Sequence, residues 1–199
     1  MEPAANIDEE EAPAGLVYLP EAITVEDERA LVAEVERLPF HEVRMHGVIA
    51  KRTVIHFGWD YGYESWKLSP GLPIPAFLEP LRARCAEVAS LPVEALEQVL
   101  VARYPEGAGI GWHRDAPMFG PSVVGASLGA PCRMRFQRTL GGARETYALT
   151  LEPRSIYLLS GAARASWQHT IPRALGLRYS VTFRTLTAKA RAALAAGGE

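Results

Sequence analysis

From residue 98 onward, apolar and polar residues alternate with a period of two. QVLVARY (98–104), SVVGASL (122–128), CRMRFQR (132–138), TYALTL (146–151), SIYLLS (155–160) and RYSVTFRT (178–185) all carry this pattern. Successive side chains of a strand point to opposite faces, so each segment is expected to be a strand with one face in a core. In CRMRFQR, Cys132, Met134 and Phe136 share one face, and Arg133 and Arg135 share the other. Turns bearing Gly and Pro separate the segments. Upstream the period is helical. Thr24 and Asp27 resemble a capping box, and Leu31, Val32, Val35 and Leu38 follow at helical spacing until Pro39. Phe77, Leu81, Cys85 and Val88 mark one face of a second helix. Residues 44–75 read as loop-rich with short strands. Helices first and strands afterwards predict an α+β fold, a β-sandwich or barrel backed by N-terminal helices.

Charge is divided unevenly along the chain. Residues 1–98 hold 8 Lys/Arg and 18 Asp/Glu, whereas residues 99–199 hold 13 and 5. The basic half is compatible with an anionic partner or with solvated strand surface. The net charge of −2 argues against strong nonspecific nucleic-acid binding. No apolar run reaches the ~20 residues of a membrane span. The acidic start, MEPAANIDEEEAPAG, differs from a signal peptide, and no membrane association is expected. Two cysteines, Cys85 and Cys132, far apart, make neither a disulfide framework nor a Cys-rich zinc site and read as buried thiols in a reducing cytoplasm.

The chemistry-bearing residues fall among the strands. In GWHRDAP, His113 and Asp115 stand two apart, so on extended backbone both side chains point the same way. An imidazole and a carboxylate are two members of a 2-His-1-carboxylate iron site, and His169 is the sole later His to complete it. Arg178, Ser180, Thr182 and Arg184 share one face of the last strand, with Tyr179, Val181 and Phe183 on the other. Two inward arginines would be costly to bury without an anion, and a small dicarboxylate gripped at both ends would satisfy them. On a solvent face they would be ordinary surface arginines. GASLG (125–129) matches the G-x-S-x-G elbow of hydrolases, with Ser127 ahead of Glu145, Glu152 and His169. An elbow must lead into a helix, however, and here Pro131 and an alternating strand follow, so Ser127 reads as a strand residue flanked by glycines for close packing.

Taken in order, Tyr104, His113, Asp115, His169, Arg178 and Arg184 resemble the AlkB family of Fe(II)/2-oxoglutarate dioxygenases. The family pattern of Asn-x-Tyr, HxD, a distal His and Arg-x5-Arg corresponds to ARY (102–104), GWHRD (111–115), SGAARASWQHTIP (160–172) and RYSVTFR (178–184). The resemblance implies a double-stranded β-helix (jelly roll) with N-terminal helices packed against it. The resemblance extends from about Tyr18 to Thr185, within a single dioxygenase domain (15–186); the composition of 1–14 reads as a disordered acidic tail, and 187–199 as an Ala-rich C-terminal tail. By similarity, His113, Asp115 and His169 bind Fe(II). Arg178 and Tyr104 hold the distal carboxylate of 2-oxoglutarate, and Arg184 holds the carboxylate beside its keto group. O2 would convert this cosubstrate to succinate and CO2 and hydroxylate a carbon on a base nitrogen, which then leaves as an aldehyde.

The implied partner is alkylated DNA or RNA, single- or double-stranded, met by a monomer with no protein partner. FGWDYGYESW (57–66) would supply an aromatic lid over a flipped base through Trp59, Tyr61 and Tyr63, with Trp66 beside them. Arg114 and Arg135 would contact the substrate, and Lys51, Arg52, Arg133 and Arg138 would be near its phosphates. Two positions depart from the pattern: Ala102 replaces the usual Asn, and Pro117 stands where repair members often carry an acid. The first bears on cosubstrate binding. The second leaves open the same oxygenase chemistry on a protein or small molecule, and loss of the cosubstrate would leave a noncatalytic binding module.

Overall fold

The computed structural model of the protein describes residues 11–45, 47–62 and 65–196. Thirteen strands are found among them: β1 (Leu16–Leu19), β2 (His41–Met45), β3 (Val48–Phe57), β4 (Trp59–Tyr61), β5 (Leu68–Pro70), β6 (Gln98–Tyr104), β7 (Ile110–His113), β8 (Phe119–Gly129), β9 (Cys132–Leu140), β10 (Ala143–Leu151), β11 (Ser155–Leu159), β12 (Gln168–Ile171) and β13 (Arg178–Leu186). The helices are α1 (Val25–Val35), α2 (Glu79–Ala89), α3 (Gly161–Ala165) and α4 (Ala188–Ala196). Seven strands form the major sheet in the order β1-β11-β8-β13-β6-β3-β2, and four form the minor sheet in the order β10-β9-β12-β7. β4 and β5 make a separate hairpin. No helix among the described residues is long and apolar enough to cross a membrane.

All six alternating segments are strands. The capping box also forms: Thr24 Oγ1 accepts from the Asp27 backbone N–H, and the Asp27 carboxylate accepts from the Thr24 N–H at 3.2 Å. α1 and α2 cover the outer face of the major sheet. Leu31, Val35, Leu81 and Cys85 pack there on Val99, Val101, Val124, Tyr179, Val181 and Phe183. Burying each large apolar side chain contributes about 1.5–3 kcal/mol before chain entropy is counted. Between the sheets, Val123, Tyr157 and Leu159 meet Met134, Phe136, Leu151, Trp167 and Ile171. β13 therefore has both faces covered, and every one of its residues is buried. Cys85 and Cys132 are buried free thiols.

Three stretches differ from the sequence expectation. Within 44–75, which reads as loop-rich with short strands, β3 is ten residues long and pairs with β6 in the major sheet. Its inner face carries Arg52 and His56, both buried, and charge at those positions masks the apolar alternation. Residues 1–10 of the expected acidic tail lie outside the described residues. Pro13 is buried, and the Ala14 carbonyl accepts from the Ala163 N–H at 2.9 Å, so that end of the tail is fixed against α3. The Ala-rich stretch after 187 forms α4, whose Ala190 and Leu194 pack near Tyr61, Phe119 and Leu186.

Candidate active site

Strand pairing brings distant segments to one cavity of about 390 Å³ between the sheets. In the major sheet, Arg178 lies opposite Tyr104 and Gly129, Ser180 opposite Ala102 and Ser127, and Arg184 opposite Gln98 and Val123. These residues share the inner face by pleat. In the minor sheet His113 pairs directly with His169, and their rings lie 4.3 Å apart. Tyr104, His113, Asp115, His169, Arg178 and Arg184 all line the cavity. The expectation that both arginines turn inward holds: Arg178 is 1% exposed and Arg184 8%.

Arg178 is held from two sides. One terminal N–H donates to Ser127 Oγ at 3.1 Å, and the guanidinium lies 4.9 Å from the Tyr104 ring centre. Its Nε–H is buried without a hydrogen-bond partner, and so is that of Arg184. Ser127 is fully buried between Ser155 and Ser180 on neighbouring strands. No helix follows it, so the elbow motif is a strand. Gly125 leaves room for the Tyr157 ring, which a Cβ would meet at 2.3 Å.

Arg184 lies 2.9 Å from Asp115 Oδ1, reaches Gln98 Oε1 at 3.3 Å and covers the Phe119 ring at 4.5 Å. The other Asp115 oxygen stands 3.9 Å from His169 Nε2. Burial disfavours the Asp115 carboxylate, yet Arg184 and then the two histidines hold its pKa down at about 2. Burial pushes His169 down to about 3, with His113 adding to the effect, and burial also lowers His113. His113 Nδ1 lies 2.9 Å from the Gly111 carbonyl. A proton there would leave its Nε2 lone pair free. Among the described residues no three His, Cys, Asp or Glu side chains already stand close enough to cage an ion.

The residues expected to form a lid are distributed unequally. Tyr61 lines the cavity and meets Phe119 edge-on at 5.7 Å. Trp59 is not among the cavity-lining residues and packs in the cluster of Tyr61, Phe119 and Leu186. Tyr63 lies outside the described residues. Trp66, 56% exposed, borders the cavity. Arg114 lines the rim and donates to the Ala165 carbonyl at 3.2 Å. Arg135 is on the outer face of the minor sheet, 5.9 Å from the centre of the Trp112 ring. Lys51 is exposed, whereas Arg52 lines the cavity. Arg164 donates to the carbonyls of Ala116 and Phe119, both at 3.1 Å, and so braces the segment that follows Asp115.

His56 allows a pH test of this interior. Burial pushes its pKa from 6.5 to about 4, against the opposing hydrogen bond with Asp60 at 2.6 Å. Between those values the unfolded chain binds a proton that the folded one refuses. The stability is therefore complete above about pH 6.5 and lost as pH falls through the folded pKa. The melting temperature should drop on acidification across that window, and His56→Gln should flatten the slope by about one proton. An unchanged slope would mean that His56 is not buried neutral.

A sequence profile of the 2OG-Fe(II) oxygenase superfamily matches residues 15–184. The chain is 31% identical, over 85% of its length, to the alkylated DNA repair protein ALKBH8 homolog of Arabidopsis thaliana, of which it spans 54%. It is 28% identical, over 83% of its length, to the tRNA (carboxymethyluridine(34)-5-O)-methyltransferase ALKBH8 of Mus musculus, of which it spans 25%. The chain thus corresponds to about half or less of these relatives. In fold it is similar to the solved structure of OsALKBH1, with TM-score 0.67, 16% identity and coverage of 88% of this chain and 98% of that one. A Pseudomonas putida prolyl-4-hydroxylase aligns with TM-score 0.62 and 13% identity over 87% of this chain and 93% of that one.

Proposed function

Because the chain belongs to the 2OG-Fe(II) oxygenase superfamily and is AlkB-like within it, a jelly roll using Fe(II), 2-oxoglutarate and O2, we propose that it oxidatively dealkylates N-alkylated bases in DNA or RNA. The observation that carries the site assignment is the meeting of two imidazoles and one carboxylate with two buried arginines in one cavity. The donor set fits the metal. Burial keeps both imidazoles unprotonated, and Arg184 keeps the carboxylate charged. His113, Asp115 and His169 would hold Fe(II). The unpartnered Nε–H groups of Arg178 and Arg184 fit an anion with a carboxylate at each end.

When bound, iron and cosubstrate supply the oxidation of a substrate C–H bond by O2, with succinate and CO2 as coproducts. The chain's own residues bind and orient. Arg178, steadied by Ser127 and Tyr104, would take the distal carboxylate. Arg184 would take the nearer one while fixing Asp115. Tyr61 and Phe119 close one wall with apolar surface and limit water near the reacting carbon. The nucleic-acid assignment is supported by the relatives named for alkylated DNA repair and for a tRNA uridine, and by the open aromatic rim at Trp66.

The test is anaerobic binding of Fe(II) and 2-oxoglutarate, then O2, with succinate and formaldehyde measured on methylated single-stranded DNA and RNA. Formaldehyde in step with succinate is expected. Succinate without formaldehyde would redirect the search to a protein or small-molecule substrate, and neither product would overturn the oxygenase reading. Trp66→Ala should lower oligonucleotide repair roughly tenfold, the loss of one stacking platform, and spare succinate formed without substrate. Equal loss of both would make Trp66 a folding residue.

A further inference from the structure

The minor sheet has a second cavity, of about 330 Å³, lined by Arg114, Gln137, Arg138, Thr139, Arg144, Ser166 and Gln168. Pleat and register explain the grouping. Gln168 lies opposite Gln137, and Arg144 opposite Thr139, so these four side chains stand on the outer face of the sheet. The neighbouring residues His169 and Phe136 turn inward. Gln137 joins the group together: its amide N–H donates to Gln168 Oε1 at 3.0 Å, and its carbonyl oxygen accepts from Arg144. Arg138 closes one side, 4.7 Å from the Trp167 ring centre and paired with Glu145 at 2.6 Å.

Two observations define the ligand. The outer positions of β9 and β10 are Arg133, Arg135, Gln137, Thr139, Arg144, Thr146, Ala148 and Thr150, with three guanidiniums and no carboxylate among these described residues. Glu145, opposite Arg138 on the neighbouring strand, is already engaged by it. Arg114, between the proposed ligands His113 and Asp115, lines both this cleft and the central cavity. The cleft therefore opens at the rim of the site and offers guanidinium, amide and hydroxyl donors to one anionic group. Such a donor set matches a phosphodiester.

We propose that this cleft seats a backbone phosphate of the nucleic-acid strand, beside the nucleotide whose base enters the central cavity. The inference rests on the nucleic-acid reading above. Arg144 and Arg114 meet the phosphate charge, and Gln137 and Gln168 hold Arg144 in place. The arginines at 133 and 135 extend the same positive face along the strand's path.

The experiment is binding of a labelled single-stranded oligonucleotide bearing one methylated adenine, measured by fluorescence anisotropy across a salt series. Arg144→Gln should weaken binding on the order of three- to tenfold at low salt. It should also reduce the slope of log affinity against log salt by about 0.7, the loss of one phosphate contact on a single strand. Arg144→Lys keeps the charge and should keep the slope. Gln137→Glu, which places a carboxylate in the cleft, should weaken binding more than Arg144→Gln. Thermal melts of each variant separate these effects from misfolding. Oligonucleotide binding with an unchanged slope in Arg144→Gln would overturn the cleft and leave the proposed function standing. No oligonucleotide binding by the unaltered protein even at low salt would remove both. Binding of poly-glutamate in preference to the oligonucleotide would assign the face to an acidic polypeptide and overturn the proposal.

Discussion

Asp115→Ala is expected to reduce coupled oxidation to background and, unlike the loss of either histidine, to destabilise the folded protein as well. The turnover effect follows from removing the one anionic donor of the proposed metal site. The stability effect follows from Arg184, which is 2.9 Å from Asp115 and almost wholly buried. Removing one partner of a buried pair costs about 3–5 kcal/mol, because the remaining charge is left without compensation. His113→Ala removes a neutral ring and carries no such penalty. Succinate assays, Fe(II) titration and urea unfolding of both variants check the pair. Near-normal turnover in Asp115→Ala would eliminate the iron assignment. Equal stability of the two variants would mean that Arg184 finds another partner.

Arg178→Ala should raise the 2-oxoglutarate concentration needed for half-maximal succinate formation by roughly 30-fold or more, as expected for truncating a buried charge contact. Arg178→Lys should not rescue it fully, since an ammonium lacks the planar fork. Ser127→Ala tests the same contact from behind. It removes the hydroxyl that accepts from Arg178, and should raise the requirement by a smaller factor, about five- to tenfold. Both variants should leave Fe(II) affinity nearly unchanged, because neither residue contacts the three proposed ligands. An unchanged cosubstrate requirement in Arg178→Ala would remove the clamp. Esterase activity lost in Ser127→Ala would revive the hydrolase reading that the strand geometry argues against.

The parts of the fold legible in the sequence are those where burial leaves a period. β6, β8, β9, β10, β11 and β13 alternate because one face meets a core while the other meets solvent, helices or polar side chains. β3 was hidden for a physical reason. Its inner face carries Arg52 and His56, and its outer face mixes exposed Ile49 and Lys51 with buried Ile55 and Phe57, so neither face reads as apolar. The shared direction of His113 and Asp115 was readable from spacing alone. The hold of Arg184 on Asp115 and of Ser127 on Arg178 was not, since strand order brings together residues remote in sequence. The aromatic segment at 57–66 stands out in the sequence, but where each ring goes does not. Its hairpin turns Tyr61 inward, sends Trp59 into a hydrophobic cluster and leaves Trp66 at the rim. The G-x-S-x-G match arises because β8 needs Gly125 to admit Tyr157 and Gly129, at φ +80°, to end the strand.

Phe119 stands at a junction. Its ring supports Arg184, its edge meets Tyr61, and its cluster includes Leu186 and, from the last helix, Ala190 and Leu194. A protein shortened after residue 186 would retain every side chain assigned to iron and cosubstrate. It would also strip Ala190 and Leu194 from the cluster around the ring on which Arg184 rests. The useful end point for recombinant expression is thus set by the helix rather than by the final strand, and an affinity tag fused directly at residue 187 would test the grip of the pocket as much as the solubility of the product.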